Sequence, residues 1–578
     1  MRPAAWGATL WRWARGTLGI AVAMAVLLGT LEVWGNASGG YYAGLGDHVV
    51  LAPEGLSWAI PGAFANDWFM AAAPQPHWFF DIVTYLGQIS GHLSSAYAAF
   101  WAVGLLAFGG ATAILAVRIG GRAAWPLAIG FTMLISQTPW LIGGTGSLVI
   151  PVALPAVTSA SLVYLTIAAL LTERRWLAAV TAVIVAIVHV QQGANIVIVL
   201  TAFTLMDAIR ARRIDWRLVG AIVLSLAFVV FGLVLRPVAA NLSDFVQICD
   251  QIIPYHCAAH LWGPLDLIAT VGLIVLTGLS VFLLPRRSRL AWLVTVGLAT
   301  LGFALGFAAD ALSVPVLGQL AQGVNVYRLG TVLLPFAIWG IMLPLVRPAL
   351  DRWSLVRLAV WAVSFWALLM SSSWIVTGVR DPLFLGAIAV IVAAGLVAAR
   401  YRKRVSRAFI VGLTSFLLGL LFVFVAAGSG HLTIKAPNFR FVPDQALVAW
   451  GAEVRSVVPK GSVIVASPRT TWLKIVTQRA VIADCKDVPY GGEPWREWKR
   501  RLGMLGGFDQ CVAPGPLLYN TLSADALIKA ADEFHSDFIS IDPPLQETAD
   551  ALKARGWKQV VSPVGNSGTT IFGRGSLR

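Results

Sequence analysis

The sequence predicts an α-helical polytopic membrane protein that ends in a small α/β domain, and three observations predict it. Of the 578 residues, 58% are hydrophobic and only 12% charged, where soluble domains carry about a quarter charged residues; the mean hydropathy is +0.76. The charge is also uneven along the chain. Residues 1–430 hold 25 of the 43 basic and 14 of the 28 acidic side chains, a net +11, and residues 431–578 hold the rest, a net +4. The third observation is that all four cysteines fall on one side of the predicted topology. A formal charge of +15 could otherwise suggest nucleic acid, but the excess lies in short arginine clusters between apolar runs, so nucleic acid is excluded as a partner.

A helix needs roughly 20 mostly apolar residues to cross ~30 Å of hydrocarbon. About thirteen runs meet or approach this, near 17–35, 93–117, 123–141, 151–171, 176–190, 193–208, 217–235, 264–284, 290–308, 326–346, 354–375, 382–399 and 408–427. The fifth and sixth are short and separated by His189-Val190-Gln191-Gln192-Gly193, which fits either a tight hairpin or two broken helices. The first run follows Arg2, Arg12 and Arg15 and resembles a secretory signal; it reads as an uncleaved first span because the topology needs it.

The arginines test the span count. With a cytoplasmic N-terminus, 22 of the 25 basic residues before 431 fall inside, in clusters such as Arg210, Arg212, Arg213 and Arg217 or Arg400, Arg402, Lys403, Arg404 and Arg407. Only Arg236, Arg328 and Arg380 fall outside. An odd number of spans places residues 431–578 outside the cytoplasm, as expected for a bacterial plasma (inner) membrane protein with an exported tail. Cys249, Cys257, Cys485 and Cys511 then all lie in the oxidising compartment, where two disulfides account for them. The rival reading, a zinc site using His256 and His260, lacks paired CxxC spacing.

The tail reads as a small α/β domain. Residues 462–466, 480–483, 538–541 and 559–561 are short β-branched runs, with helical patterns near 444–457, 493–505, 523–535 and 545–555. It contains no GxGxxG after a strand, no P-loop and no Gly-x-Ser-x-Gly. The run Trp495–Arg501 is aromatic and basic, and is expected to be a helix face lying near the membrane or against a loop.

Chemistry is expected on the outer face, where neither ATP nor a nucleotide sugar is supplied and any group transfer needs a lipid-carried donor. The first outer loop, 36–92, carries Asp47-His48, Glu54, Asp67-Trp68-Phe69, His77-Trp78-Phe79-Phe80-Asp81 and His92. Asp47 follows the first span by about a dozen residues, which suits a partly desolvated carboxylate acting as general base on an acceptor hydroxyl. The same residues could instead cap loop helices or be solvated, and His77–Phe80 suggests an interfacial helix with its aromatics in lipid. Arg328 opposes the positive-inside bias, so it either holds a phosphate through two parallel hydrogen bonds or pairs with Asp310 or a loop carboxylate. His189, Gln191 and Gln192 could line a polar cavity or satisfy contacts between helices.

An arginine-rich N-terminus, a first span, an outer loop with an early acidic residue, many further spans and an exported α/β domain together resemble the GT-C class of integral-membrane glycosyltransferases. Tyr42-Ala-Gly-Leu-Gly-Asp47-His48, Asp67-Trp68-Phe69, His77, and the tail segments Val481-Ile-Ala-Asp484-Cys-Lys486-Asp-Val-Pro489 and Glu497-Trp-Lys-Arg-Arg-Leu502 are similar to a group of bacterial membrane proteins of that architecture. The resemblance implies a polyprenyl-phosphate-linked sugar as donor, a lipid or glycan acceptor in the membrane, and a mostly inverting single displacement. It implies Asp47 as the carboxylate that activates the acceptor, with Asp67 as the second candidate, and Arg328 as a phosphate-binding residue by position only; His48, His77, His189 and Gln192 are further substrate-binding candidates from the sequence itself. Many members carry two adjacent acidic residues where this chain has Asp47-His48, which leaves the participation of a divalent cation open.

Two other functions fit parts of the pattern. A transporter or lipid flippase would use His189–Gln192 and Arg328 as a path, although there is no clear internal repeat. A non-catalytic scaffold would present the tail to cell-envelope partners.

Overall fold

The computed structural model describes residues 41–120, 150–235, 242–312, 324–333, 438–512, 517–542 and 545–575, with isolated positions between 22 and 33, at 128, between 335 and 339 and at 515. The chain gathers into two compact units, one of Met1–Tyr41, Phe100–Val230 and Tyr255–Pro437, the other of Tyr42–Ala99, Phe231–Pro254 and Asn438–Arg578.

Four helices among the described residues are long and apolar enough to cross a membrane: Leu93–Ile119, Val190–Ala211, Trp216–Leu235 and Arg286–Asp310. Pro155–Leu171 and Arg175–Val188 are shorter apolar helices. These match the runs expected at 93–117, 193–208, 217–235, 290–308, 151–171 and 176–190. The spans expected at 354–375, 382–399 and 408–427 lie outside the described residues, as do all of 123–141 but position 128, most of 17–35 and about half of 326–346.

The polar break near 190 is a tight hairpin. Val188 ends the first helix, His189 is extended (φ −152°, ψ 113°), and its ring accepts the Gln192 backbone N–H at 3.3 Å to cap the next helix. Gly193 sits where a Cβ would meet the Ala186 backbone at 2.7 Å. The first helix has only 14 residues, a rise of about 21 Å, short of a full crossing. Arg175 and Asp207, near the far ends of the two helices, are joined by a 2.6 Å ion pair.

Val326–Val332 is a single 3-10 segment. It packs onto the Arg286–Leu312 helix at two glycines one turn apart: a Cβ on Gly302 would overlap the Val326 carbonyl, and one on Gly306 the Tyr327 ring. Arg328 is buried in this segment. Asp310, weighed as its partner from the sequence, accepts instead from the His260 backbone N–H at 2.9 Å and lies 3.0 Å from the His260 ring.

The second unit is built on a five-stranded sheet, β1 (Val463–Val465), β2 (Ala480–Val481), β3 (Phe538–Ile541), β4 (Trp557–Val561) and β5 (Thr570–Arg574), in the order β2-β1-β3-β5-β4. The first three are parallel, and β5 runs antiparallel to both β3 and β4. Alternate residues feed opposite cores, as the pleat requires. Val465, Ile539 and Phe572 pack with Trp495, Trp498, Leu502 and Leu527. Ile464, Phe538 and Ile571 pack with Leu447, Trp450, Val454 and Val476. Asp444 caps the Gln445–Val457 helix through the N–H groups of Ala446 and Leu447, and Ser523 caps Ala524–Glu533.

Two segments from elsewhere in the chain belong to this unit. Residues 42–99 contribute Val49, Leu56, Ala63 and Phe64, which share a core with Ile475. The Leu242–Gln251 helix buries Ile248 among the tail's tryptophans, and its Gln247 side chain accepts from the Trp495 indole at 3.2 Å. The aromatic and basic run at 495–501 is therefore a helix face against loops: Trp495 and Trp498 stack inside, 5.1 Å apart, and the Arg501 guanidinium covers Trp68 at 4.7 Å.

Candidate functional site

The turn that presents Asp47 is made by glycines. Gly44 has φ +71°, and a Cβ there would overlap the Phe441 carbonyl. That combination admits only glycine. The turn delivers Asp47 and His48 to opposite environments. His48 is fully buried, its ring 5.0 Å from Tyr97 and 5.9 Å from Phe80, and its Nδ1 accepts the Gly44 N–H at 3.1 Å. Asp47 faces outward with its side chain 55% exposed, and its Oδ1 receives the ammonium of Lys486 at 3.0 Å. Tyr42 lies close by, and its phenol pKa is raised, first by burial and then by the Asp47 charge.

Lys486 comes from a tail loop fixed on both sides. The Asp484 carboxylate accepts the Lys486 backbone N–H at 2.6 Å, and the Cys485 N–H donates to the Pro468 carbonyl at 2.8 Å. Cys485 is disulfide-bonded to Cys511. Cys249 and Cys257 are disulfide-bonded as well, as the expectation of two disulfides requires.

Behind this loop lies a buried charge cluster. Lys474 is 0% exposed, pairs with Asp487, and lies 3.5 Å from Asp67. Burial pulls its pKa down, but the surrounding carboxylates outweigh this and leave it raised. Burial and the Asp487 charge raise Asp484 well above the usual carboxylate range, and burial pushes Asp487 up to about 7. Asp67 also caps the Trp68–Ala72 helix, accepting the Met70 N–H at 3.0 Å. The second carboxylate singled out from the sequence is thus buried at a helix cap.

The other residues of interest are placed as follows. His77 starts the Trp78–Ile89 helix. Of the aromatics after it, Phe80 turns inward against His48 and Tyr97; this corrects the expectation that all of them meet lipid, because the helix packs one face on the loop core. His189, Gln192 and Arg328 are buried in the first unit. Gln192 is one turn from Asn195, whose amide donates to the Val324 and Asn325 carbonyls at 3.2 and 3.3 Å. The Gln192 amide has no hydrogen-bond partner among the described residues.

Sequence reasoning missed Lys474 and Lys486 as site residues. The available signal was the density of charge beside a cysteine in Asp484-Cys-Lys486-Asp487.

The described residues thus comprise a unit with helices long and apolar enough to cross a membrane and a unit in which a mixed α/β domain packs with the loop that carries Asp47. Among solved structures the chain is similar to ArnT from Cupriavidus metallidurans bound to undecaprenyl phosphate, at 14% identity over 96% of this chain and 97% of that one, with a TM-score of 0.42. The apo form of the same protein matches at 15% identity over 98% of each chain, with the same score. A family model described as a domain of unknown function, DUF6798, matches residues 443–505, the stretch that contains Lys474, Asp484 and Lys486. No curated protein matches the sequence.

Proposed function

We propose that the protein is a membrane glycosyltransferase that moves a sugar from a polyprenyl-phosphate-linked donor to a lipid or glycan acceptor on the extracytoplasmic face. In this reading residues 1–430 form the membrane domain, 431–578 the exported domain, and the N-terminus is cytoplasmic. The observation that carries it is the solvent-open pair of Asp47 and Lys486, 3.0 Å apart, on a loop whose neighbours are locked in place. Single displacement needs both signs of charge at the reacting centre. The Asp47 carboxylate takes the acceptor hydroxyl proton, the acceptor oxygen bonds to the anomeric carbon, and the carbon–oxygen bond to phosphate breaks, its electron pair leaving with the lipid phosphate.

The remaining assignments follow from chemistry. His48 is a positioning residue, since its ring holds the turn before Asp47. His77, His189, Gln192 and Arg328 supply donors suited to sugar hydroxyls or phosphate. The test is Asp47→Asn in full-length protein, assayed for sugar transfer from lipid-linked donor in membranes. The expected loss is about a hundredfold or more, with thermal stability unchanged because an exposed pair contributes little. Transfer at the wild-type rate would overturn the assignment of Asp47.

A further inference from the structure

Lys486 is presented with more precision than its ion pair requires. Its side chain is 44% exposed and Asp47's 55%, and exposed pairs of this kind contribute little to stability. Yet every neighbour is tied down. Asp484 is buried and accepts the Lys486 N–H, Cys485 is in a disulfide, Asp487 is buried against Lys474, and the Val488 N–H donates back to the Lys486 carbonyl at 2.9 Å. A fixed main chain with a four-carbon flexible stem lets the ammonium move while its root does not.

The contact is also chemically awkward for a base. An ammonium against a carboxylate keeps it ionised but lowers its affinity for a proton. A base so held must lose its cation at the moment it accepts the acceptor's proton. The charge that can draw the ammonium away is the one that appears at that moment, on the departing phosphate.

We propose that Lys486 is a positioning residue that exchanges Asp47 for the phosphate of the lipid-linked donor, so that the tail makes the base competent only when donor is bound. This rests on the glycosyltransferase reading. As the carbon–oxygen bond to phosphate breaks, the leaving group gains negative charge and attracts the ammonium more strongly, and Asp47 gains proton affinity in step. Among the described residues, the polar groups beside Asp47 include Tyr42, whose phenol feels the Asp47 and Lys486 charges, and His48, whose Nδ1 already accepts from Gly44.

The experiment compares full-length wild type, Lys486→Met and Lys486→Arg in mixed micelles. Binding is measured for polyprenyl phosphate, for the polyprenol lacking phosphate, and for inorganic phosphate. Lys486→Met is expected to weaken polyprenyl phosphate binding about tenfold and leave the polyprenol unchanged, while Lys486→Arg stays close to wild type. The acid limb of the pH–rate profile is expected to move to higher pH in Lys486→Met, because Asp47 loses the cation that keeps it ionised. Wild-type binding together with an unmoved acid limb in Lys486→Met would overturn the exchange. Equal loss of polyprenol binding would make Lys486 a structural residue, and tight binding of inorganic phosphate would make the ligand a free anion; either also overturns it. A wild-type protein that does not bind polyprenyl phosphate would end the glycosyltransferase reading itself. Should Lys486→Met fail to fold, Lys486→Gln makes the same comparison.

Discussion

Replacing Lys474 by methionine removes the cation of the buried cluster and keeps most of its volume. The ammonium pairs with Asp487, lies 3.5 Å from Asp67, and feels Asp484. Breaking a buried pair by deleting one partner costs about 3–5 kcal/mol, because the remaining charges are stranded. The cost should depend on pH. Asp484 is held well above the ordinary range and Asp487 at about 7, so folding takes up protons between the ordinary carboxylate pKa of 3.8 and about 7. Where the native state binds more protons, stability falls as pH rises, and wild type should already lose stability across that window. In Lys474→Met the Asp487 carboxyl, already pushed up to about 7 beside the cation that lowers it, is protonated at pH 5, and the loss should shrink to about 1–2 kcal/mol for the missing contacts. At pH 8 the full ~4 kcal/mol should appear, a fall in Tm of about 8–16 °C for a unit of this size. Thermal unfolding of full-length protein in detergent, followed by tryptophan fluorescence at both pH values, measures it. A loss equal at the two pH values, or below about 0.5 kcal/mol at both, would refute the view that this lysine neutralises stranded carboxylates.

Three further perturbations have defined outcomes. Asp67→Ala removes both a helix cap and a partner of Lys474, and should cost about 1 kcal/mol for the cap plus a larger share for the ion pair, read from the same unfolding experiment. Gly44→Ala forces a side chain into φ +71° against the Phe441 carbonyl; it should lower both stability and transfer activity, with new proteolytic cleavage in residues 42–99. Reducing the Cys485–Cys511 bridge, 26 residues apart in sequence, should cost about 3–4 kcal/mol, and Cys485→Ser should weaken the Asp47–Lys486 register more than overall folding, seen as transfer activity lost at temperatures where the fold persists.

The sequence made visible what depends on local pattern. Long apolar runs gave helices, the polar interruption at His189 marked the hairpin, and the helical patterns near 444–457 and 523–535 became the helices that Asp444 and Ser523 cap. Strand β5 was missed because Gly573 and Arg574 dilute a run in which only Thr570, Ile571 and Phe572 have strand character. The site was legible only in half. Asp47 stood out as an acidic residue soon after an apolar span, but its partner lies 439 residues away, and no periodicity connects the two. Asp484-Cys-Lys486-Asp487 reads as a solvated charge run, yet Asp484 and Asp487 are buried and only Lys486 turns outward. Burial of that kind follows from the Lys474 ammonium waiting beneath the loop, which is tertiary information.

The same facts explain why the acidic loop and the tail belong to one unit. The loop's helices around the site have four, seven and five residues, too short to persist alone in water. Their order comes from the tail: Ile475 completes their core, the Asn66 amide donates to the Gly461 carbonyl at 2.7 Å, the Lys460 ammonium donates to the Pro61 carbonyl at 3.2 Å, and Lys474 anchors Asp67. A carboxylate on such a loop owes its position to residues 460–487, within the segment that the family model matches. The position of Asp47 therefore depends on the folding of the tail, and a substitution in β1 or in the Leu473–Thr477 helix should reach Asp47 without touching it.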